Sequence, residues 1–186
     1  MKRAFDLFLA LSAGVVLIVP ILFVALAIRL TSPGPALNWS DRVGRGNRIF
    51  KMPKLRSMRV DTPPVATHLL TDPAAYLTLI GPFLRRTSID ELPQLWSILK
   101  GDMSFVGPRP ALFNQVDLIA LRTEQEVHEL LPGLTGWAQV NGRDEIPLAQ
   151  KVKFDAEYLE HKSLSFDFYI LWLTFVKVFK GDGVSH

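Results

Sequence analysis

A chain of 186 residues builds one core, so every functional part must share a single compact unit. Apolar residues make up 48% and the mean hydropathy is positive, which excludes a disordered chain and points to membrane contact. With no cysteine there is no disulfide framework, thiolate nucleophile or sulfur-based zinc site, and with a net charge of only +3 nucleic acid is not an expected partner.

The first predicted element is a membrane helix within residues 1–31. Residues 7–28 carry no ionisable side chain and only Ser12 as a polar one, with Lys2, Arg3 and Asp6 before them and Arg29 after. At about 1.5 Å per residue this run reaches roughly 33 Å, just enough to cross a bilayer. It continues into Thr31, Ser32, Pro33 and Gly34 rather than a small-residue cleavage site, so the helix is expected to be retained. Pro20 near its middle should kink it. Hydropathy alone favours a single-pass anchor. Basic residues at both ends favour a re-entrant helix whose termini stay on the cytoplasmic side.

Next, Arg42, Arg45, Arg48, Lys51, Lys54, Arg56 and Arg59 fall in one stretch without an acidic residue, which implies a local anionic partner, either phosphate or lipid headgroups. Residues 69–84 and 112–131 show weaker helical periodicity and predict helices packed on the soluble face. Between them lies Arg85-Arg86-Thr87-Ser88-Ile89-Asp90-Glu91-Leu92-Pro93-Gln94-Leu95, followed by Lys100-Gly101-Asp102-Met103-Ser104 and Gly107-Pro108-Arg109-Pro110. Ser88 and Glu91 match a capping box, placing Asp90 and Glu91 in the first turn of a helix towards Leu99. A capping box needs no catalysis, and a surface ion-pair network is a second plain reading. The functional reading rests on Arg85, Arg86 and Arg109, which suit phosphate oxygens, and on two adjacent carboxylates that a divalent cation such as magnesium would let coexist beside a pyrophosphate.

The stretch Pro132-Gly133-Leu134-Thr135-Gly136-Trp137-Ala138-Gln139-Val140-Asn141-Gly142-Arg143 reads either as a turn joining strands or as a loop whose glycines admit a ligand. In the second case Gln139, Asn141 and Arg143 supply polar contacts to a phosphate or a uracil-like ring. His68, His128, His161 and His186 show no ligand spacing and are read as surface residues. The last apolar region, residues 164–179, is interrupted by Asp167 and Lys177. It suits either a helix in the headgroup layer or a buried core helix.

Taken together, these motifs resemble the bacterial sugar transferase family, the monotopic phosphoglycosyl transferases acting on undecaprenyl phosphate. The resemblance runs almost end to end, and the length looks like the family's minimal catalytic form. It implies an Asp90–Glu91 dyad with magnesium, both residues acting as catalytic groups and metal ligands and Asp90 as the nucleophile. It further implies a ping-pong reaction in which a UDP-sugar gives its sugar phosphate to Asp90 with loss of UMP, and the polyprenyl phosphate then attacks the covalent intermediate. Arg85, Arg109 and Arg143 would hold phosphates, with Lys54 and Arg56 as further candidates. Pro53 and Leu55 stand where aromatic residues are common, and Leu131 where a basic one is frequent, which puts lipid and sugar contacts there in doubt.

The expected fold is a single α+β monotopic membrane domain over residues 1–186. A kinked re-entrant helix at 1–31 and interfacial amphipathic helices would surround a cytoplasmic catalytic part at 32–186. Its expected location is the cytoplasmic face of the bacterial inner membrane, with membrane lipids and a homodimer among its allowed partners. A metal-dependent phosphohydrolase and a non-enzymatic lipid-binding scaffold are the competing readings.

Overall fold

The structure is a computed structural model that describes residues 1–63, 72–142 and 146–180. In chain order it contains α1 (Lys2–Thr31), β1 (Leu37–Val43), β2 (Ile49–Leu55), α2 (Gly81–Thr87), α3 (Leu95–Lys100), β3 (Ser104–Val106) and α4 (Val116–Glu124). There follow β4 (Gly133–Thr135), α5 (Trp137–Val140), α6 (Leu148–His161) and α7 (Leu164–Lys180). Strands β1 and β2 form an antiparallel hairpin with Leu37 opposite Leu55 and Val43 opposite Ile49. Strands β3 and β4 pair in parallel, Ser104 with Gly133 and Val106 with Thr135. The mixed helix and sheet class agrees with expectation. Helix formation in the 69–84 window is confined to a 3₁₀ turn at Ala74–Tyr76 and to α2, and residues 69–71 lie outside the described ones.

Helix α1 is long and apolar enough to cross a membrane, and it stays helical through Pro20. One stripe of it meets protein: Asp6, Ala10 and Ile28 are buried, and Leu9, Ala13, Leu17, Val24 and Ala25 pack partly against the core. These positions recur every three or four residues, the spacing of a single helix face. The remaining surface, including Phe8, Val15, Val19, Phe23 and Leu30, is exposed and apolar.

Both ends of α1 are tied to the same body. Near the N-terminus, Arg3 donates to the carbonyls of Ile98 at 2.6 Å and Leu99 at 2.9 Å, and Lys2 Nζ lies 2.6 Å from Asp167 Oδ2. Buried Asp6 accepts from Ser104 Oγ and from the Phe105 N–H, each at 3.1 Å, so its charge is met by donors rather than stranded in the core. At the C-terminal end Ile28 packs with Leu55 and Leu84. Arg56 then grips the turn that follows, from Nε to Pro35 O at 2.7 Å, Nη1 to Ser32 Oγ at 2.9 Å and Nη2 to Ser32 O at 2.9 Å.

The main core joins α1, β2, α3, β3, α6 and α7 through residues such as Ala10, Met52, Ile98, Phe105, Tyr158 and Ile170. On α7, Asp167 and Ile170 are buried while Phe168, Tyr169, Trp172 and Phe175 are exposed. The core reading of this segment therefore holds for one of its faces, and the other is exposed and aromatic. Tyr158 donates to Asp167 at 2.6 Å; burial and that carboxylate push the phenol well above its usual range, so it remains a donor.

Three motif glycines serve packing. A Cβ on Gly107, Gly133 or Gly136 would fall 2.3, 2.2 or 2.1 Å from a neighbouring backbone atom, namely Leu131 O, Gly107 N and Gly107 O. The β3 and β4 segments thus approach each other more closely than any side chain permits, and this mutual approach explains these glycines without a ligand. Pro53 and Leu55 likewise point inward and are buried.

Candidate active site

Asp90 and Glu91 sit in a 3₁₀ helix, Ile89–Gln94, between α2 and α3. The expected capping box does not form. Ser88 adopts a left-handed backbone (φ 56°, ψ 18°) and its side chain caps nothing. It instead ends α2, donating its N–H to Arg85 O at 3.2 Å, while its carbonyl accepts the Glu91 N–H at 3.1 Å. One residue cannot be both the left-handed stop of one helix and the extended N-cap of the next. With Pro93 inside the segment lacking an N–H, the dyad occupies a tight 3₁₀ turn rather than the first turn of an α-helix. The positive charge around Asp90 consequently comes from side chains.

Those side chains converge from three elements. Lys54 Nζ, from β2, and Arg109 Nη2, from the segment after β3, both donate to the same oxygen, Glu91 Oε1, at 2.7 Å each. Burial favours the neutral form of Glu91, yet Arg109 and Lys54 outweigh it and hold the carboxyl well below the usual carboxylate range. Asp90, only 7% exposed, accepts no hydrogen bond among the described residues. Burial pushes its pKa up, with Glu91 adding to the rise and Lys54, Arg109 and Arg85 opposing it. Neighbouring carboxylates whose surroundings drive their pKa values apart are suited to different roles. Glu91 is balanced by two cations, while Asp90 accepts no hydrogen bond among the described residues.

The expected site residues are therefore partly brought together. Asp90, Glu91, Lys54 and Arg109 form one cluster, and half-buried Arg85 adds its charge from the end of α2, whereas Arg86 is exposed. Arg56 is a correction: its guanidinium is spent on the turn after α1, so it is a structural clamp and does not reach the dyad. Gln139 lies on α5, buried, with both atoms of its amide lacking a hydrogen-bond partner among the described residues. Asn141 is exposed and donates back to Trp137 O at 2.8 Å. Arg143 lies outside the described residues, as do His68 and His186. His161 is exposed as expected, but His128 is half-buried, 3.3 Å from Glu129.

The basic stretch also loses much of its need for an external anion. Lys51 pairs with Asp41 at 3.0 Å across the hairpin, Arg59 with Asp61 at 2.8 Å and Arg45 with Glu129 at 3.9 Å, while Lys54 meets Glu91. Folding brings Glu91 and Glu129 from distant segments, while Asp41 and Asp61 border the stretch itself.

Two carboxylates are the kind of oxygen donor that magnesium takes alongside substrate phosphates, and Asp90, without a hydrogen bond among the described residues, is available to such an ion. Glu91 Oε1 already carries two cations, so Oε2 is the oxygen it could offer. The residues present fit a magnesium ion on that chemistry.

Residues 1–181 match the family described as bacterial sugar transferase. The chain belongs to that family. Among curated relatives it is 40% identical to the uncharacterized sugar transferase EpsL of Bacillus subtilis (strain 168), covering all of this chain and 90% of that protein. It is 41% identical to the UDP-glucose:undecaprenyl-phosphate glucose-1-phosphate transferase of Escherichia coli (strain K12), over 97% of this chain and 40% of the relative. It is 42% identical to the undecaprenyl-phosphate glucose phosphotransferase of Komagataeibacter xylinus, over 93% of this chain and 35% of the relative. This transferase thus spans nearly the whole of the Bacillus relative and about two-fifths of the longer ones.

Sequence reading assigned no tertiary partner to several charged residues that tie elements of the core together: Arg3, Asp6, Arg122, Asp155 and Asp167. A signal for two of them was present. On α6, Val152, Asp155 and Tyr158 share one buried face at spacings of three, and on α4 Leu118 and Arg122 share another. A charge on an apolar stripe announces a buried partner, since charged side chains are almost never fully buried unpaired.

Proposed function

We propose that this transferase moves a sugar-1-phosphate from a UDP-sugar to undecaprenyl phosphate, releasing UMP, at the cytoplasmic face of the bacterial inner membrane. The observation that carries the reading is the pair of unlike carboxylates: Glu91 clamped by Lys54 and Arg109, and Asp90 buried beside it with no hydrogen bond among the described residues. In the first half-reaction an Asp90 carboxylate oxygen attacks the phosphorus that bears the sugar. The bond from that phosphorus to the bridging oxygen breaks, and UMP leaves with the bond's electron pair. In the second, an oxygen of undecaprenyl phosphate attacks the same phosphorus and Asp90 departs as carboxylate, giving the polyprenyl diphosphate sugar. Lys54, Arg85 and Arg109 stabilise charge on the transferring phosphoryl group. Magnesium, held by Asp90 and Glu91, would supply charge neutralisation at the pyrophosphate.

The membrane arrangement follows from α1. A helix tied by Arg3 at one end and by Arg56 beyond the other to one body, with an apolar outer surface between, suits a re-entrant helix in one leaflet better than a spanning anchor. Exposed Trp172, Phe168 and Tyr169 on α7 add aromatic surface of the kind found at headgroup depth. Tags placed at Met1 and His186 should both be reached by a cytoplasmic labelling reagent; a periplasmic N-terminal tag overturns this topology.

The test of function is UMP release by purified protein given several UDP-sugars, undecaprenyl phosphate and magnesium. Release should stop in chelator and return on adding magnesium, and formation of lipid-linked sugar should account for it. Hydrolysis of the UDP-sugar at the same rate without lipid would favour the phosphohydrolase reading.

A further inference from the structure

The segment that carries Arg109 is strapped down carbonyl by carbonyl. Pro108 O accepts from the Gly133 N–H at 2.9 Å and Ala111 O from the Val43 N–H at 2.9 Å. Pro110 O accepts from Arg42 Nη1 at 3.2 Å, and Arg109 O from Arg122 Nη1 at 2.8 Å. Four consecutive carbonyls therefore each have a donor, drawn from β4, β1 and α4. Prolines on either side restrict the backbone further, since the residue before a proline is confined to extended conformations. The strap fixes the peptide from which the Arg109 side chain reaches Glu91.

One of the four donors is unlike the rest. Arg122 is itself held by Asp155, with Nε at 2.9 Å and Nη2 at 2.7 Å from the same carboxylate oxygen. Asp155 is 1% exposed, and the pair joins α4 to α6. A buried ion pair is a weak source of stability, because desolvating two charges offsets most of their attraction. Its geometry here does something an apolar pair could not: it leaves the third guanidinium nitrogen aimed at the Arg109 carbonyl.

We infer that Arg122 and Asp155 are positioning residues for transfer, which hold the Arg109 peptide so that its guanidinium meets Glu91 and the phosphoryl group. This rests on the transferase reading above. The hydrogen bonds of the Arg122 guanidinium go to Asp155 and the Arg109 carbonyl, not to Asp90 or Glu91. Their effect on rate passes through Arg109, so it must vanish when Arg109 no longer provides the contact.

The experiment is a double-mutant cycle on UMP release by the full chain in detergent or nanodiscs. The variants are Arg122→Lys, the apolar double Arg122→Met with Asp155→Leu, and each of these combined with Arg109→Lys, which keeps a charge and a measurable rate. In the wild-type background Arg122→Lys should lower turnover roughly tenfold, and the apolar double at least as much, while its thermal midpoint stays near that of wild type. In the Arg109→Lys background the same changes should cost less than about twofold, as expected for residues acting as one unit. Equal losses in both backgrounds, or no loss in either, would overturn the proposal and leave the pair a packing element. If the apolar double does not fold, Arg122→Lys decides the matter alone, since it keeps the charge pairing but loses the fork that reaches the carbonyl. Failure of the transferase reading would look different, because wild type itself would then release no UMP.

Discussion

Asp90→Asn should abolish turnover, with a loss on the order of 10⁴-fold or more, the scale seen when a covalent nucleophile is removed. The substitution keeps size and polarity and takes away only the charge that attacks phosphorus. Supplied with UDP-sugar and magnesium but no lipid, wild type should gain the mass of one sugar phosphate on Asp90, and the adduct should disappear when polyprenyl phosphate is added. The variant should show neither. Because burial raises the Asp90 pKa, the acid limb of the kcat/KM profile should lie above the ordinary carboxylate range, the rate rising with pH as the group ionises. Lys54→Met removes a charge that lowers this pKa and should move the limb to higher pH, and Glu91→Gln should move it lower. Intact-protein mass spectrometry and a pH series read both effects. Turnover retained in Asp90→Asn, or an adduct on another residue, refutes the assignment.

Arg109→Ala should lower turnover on the order of 10²- to 10³-fold, the usual effect of removing one charge-stabilising group from a reacting centre. The loss has two sources. The guanidinium no longer faces the transferring phosphoryl group, and Glu91 keeps only Lys54 on its Oε1. The second source has a signature of its own. A carboxylate held below its ordinary pKa contributes stability that is present above that ordinary value and is lost as pH falls towards the depressed one. With Arg109 gone the depression shrinks, so the variant should lose less stability than wild type when both are melted at neutral pH and then at pH values below the ordinary carboxylate range. An effect of under a few fold on turnover, with an unchanged acid profile of stability, would reduce Arg109 to a surface residue.

Several features of this chain follow from its residues alone. The unbroken apolar run at 7–28 predicts a helix long and apolar enough to cross a membrane, and α1 is such a helix. The motif with Asp90 and Glu91 is legible as a candidate site because its adjacent acids lie among arginines, while the same pattern also fits a capping box or a surface ion-pair network. Tertiary structure alone decided the rest. Lys54 and Arg109 meet on one oxygen of Glu91 from positions 37 and 18 residues away, a convergence that local spacing cannot announce. Arg56 looks in sequence like Lys54, two residues before it, yet one turns to Glu91 and the other to the carbonyls after α1. Ser88 and Glu91 satisfy the capping-box pattern, but the end of α2 claims Ser88 first, because a left-handed stop and an extended cap exclude one another. Sequence thus determined the family motifs and the long apolar helix. Long-range contacts determined which cations meet those motifs, because a charge is assigned its partner by the backbone that delivers it.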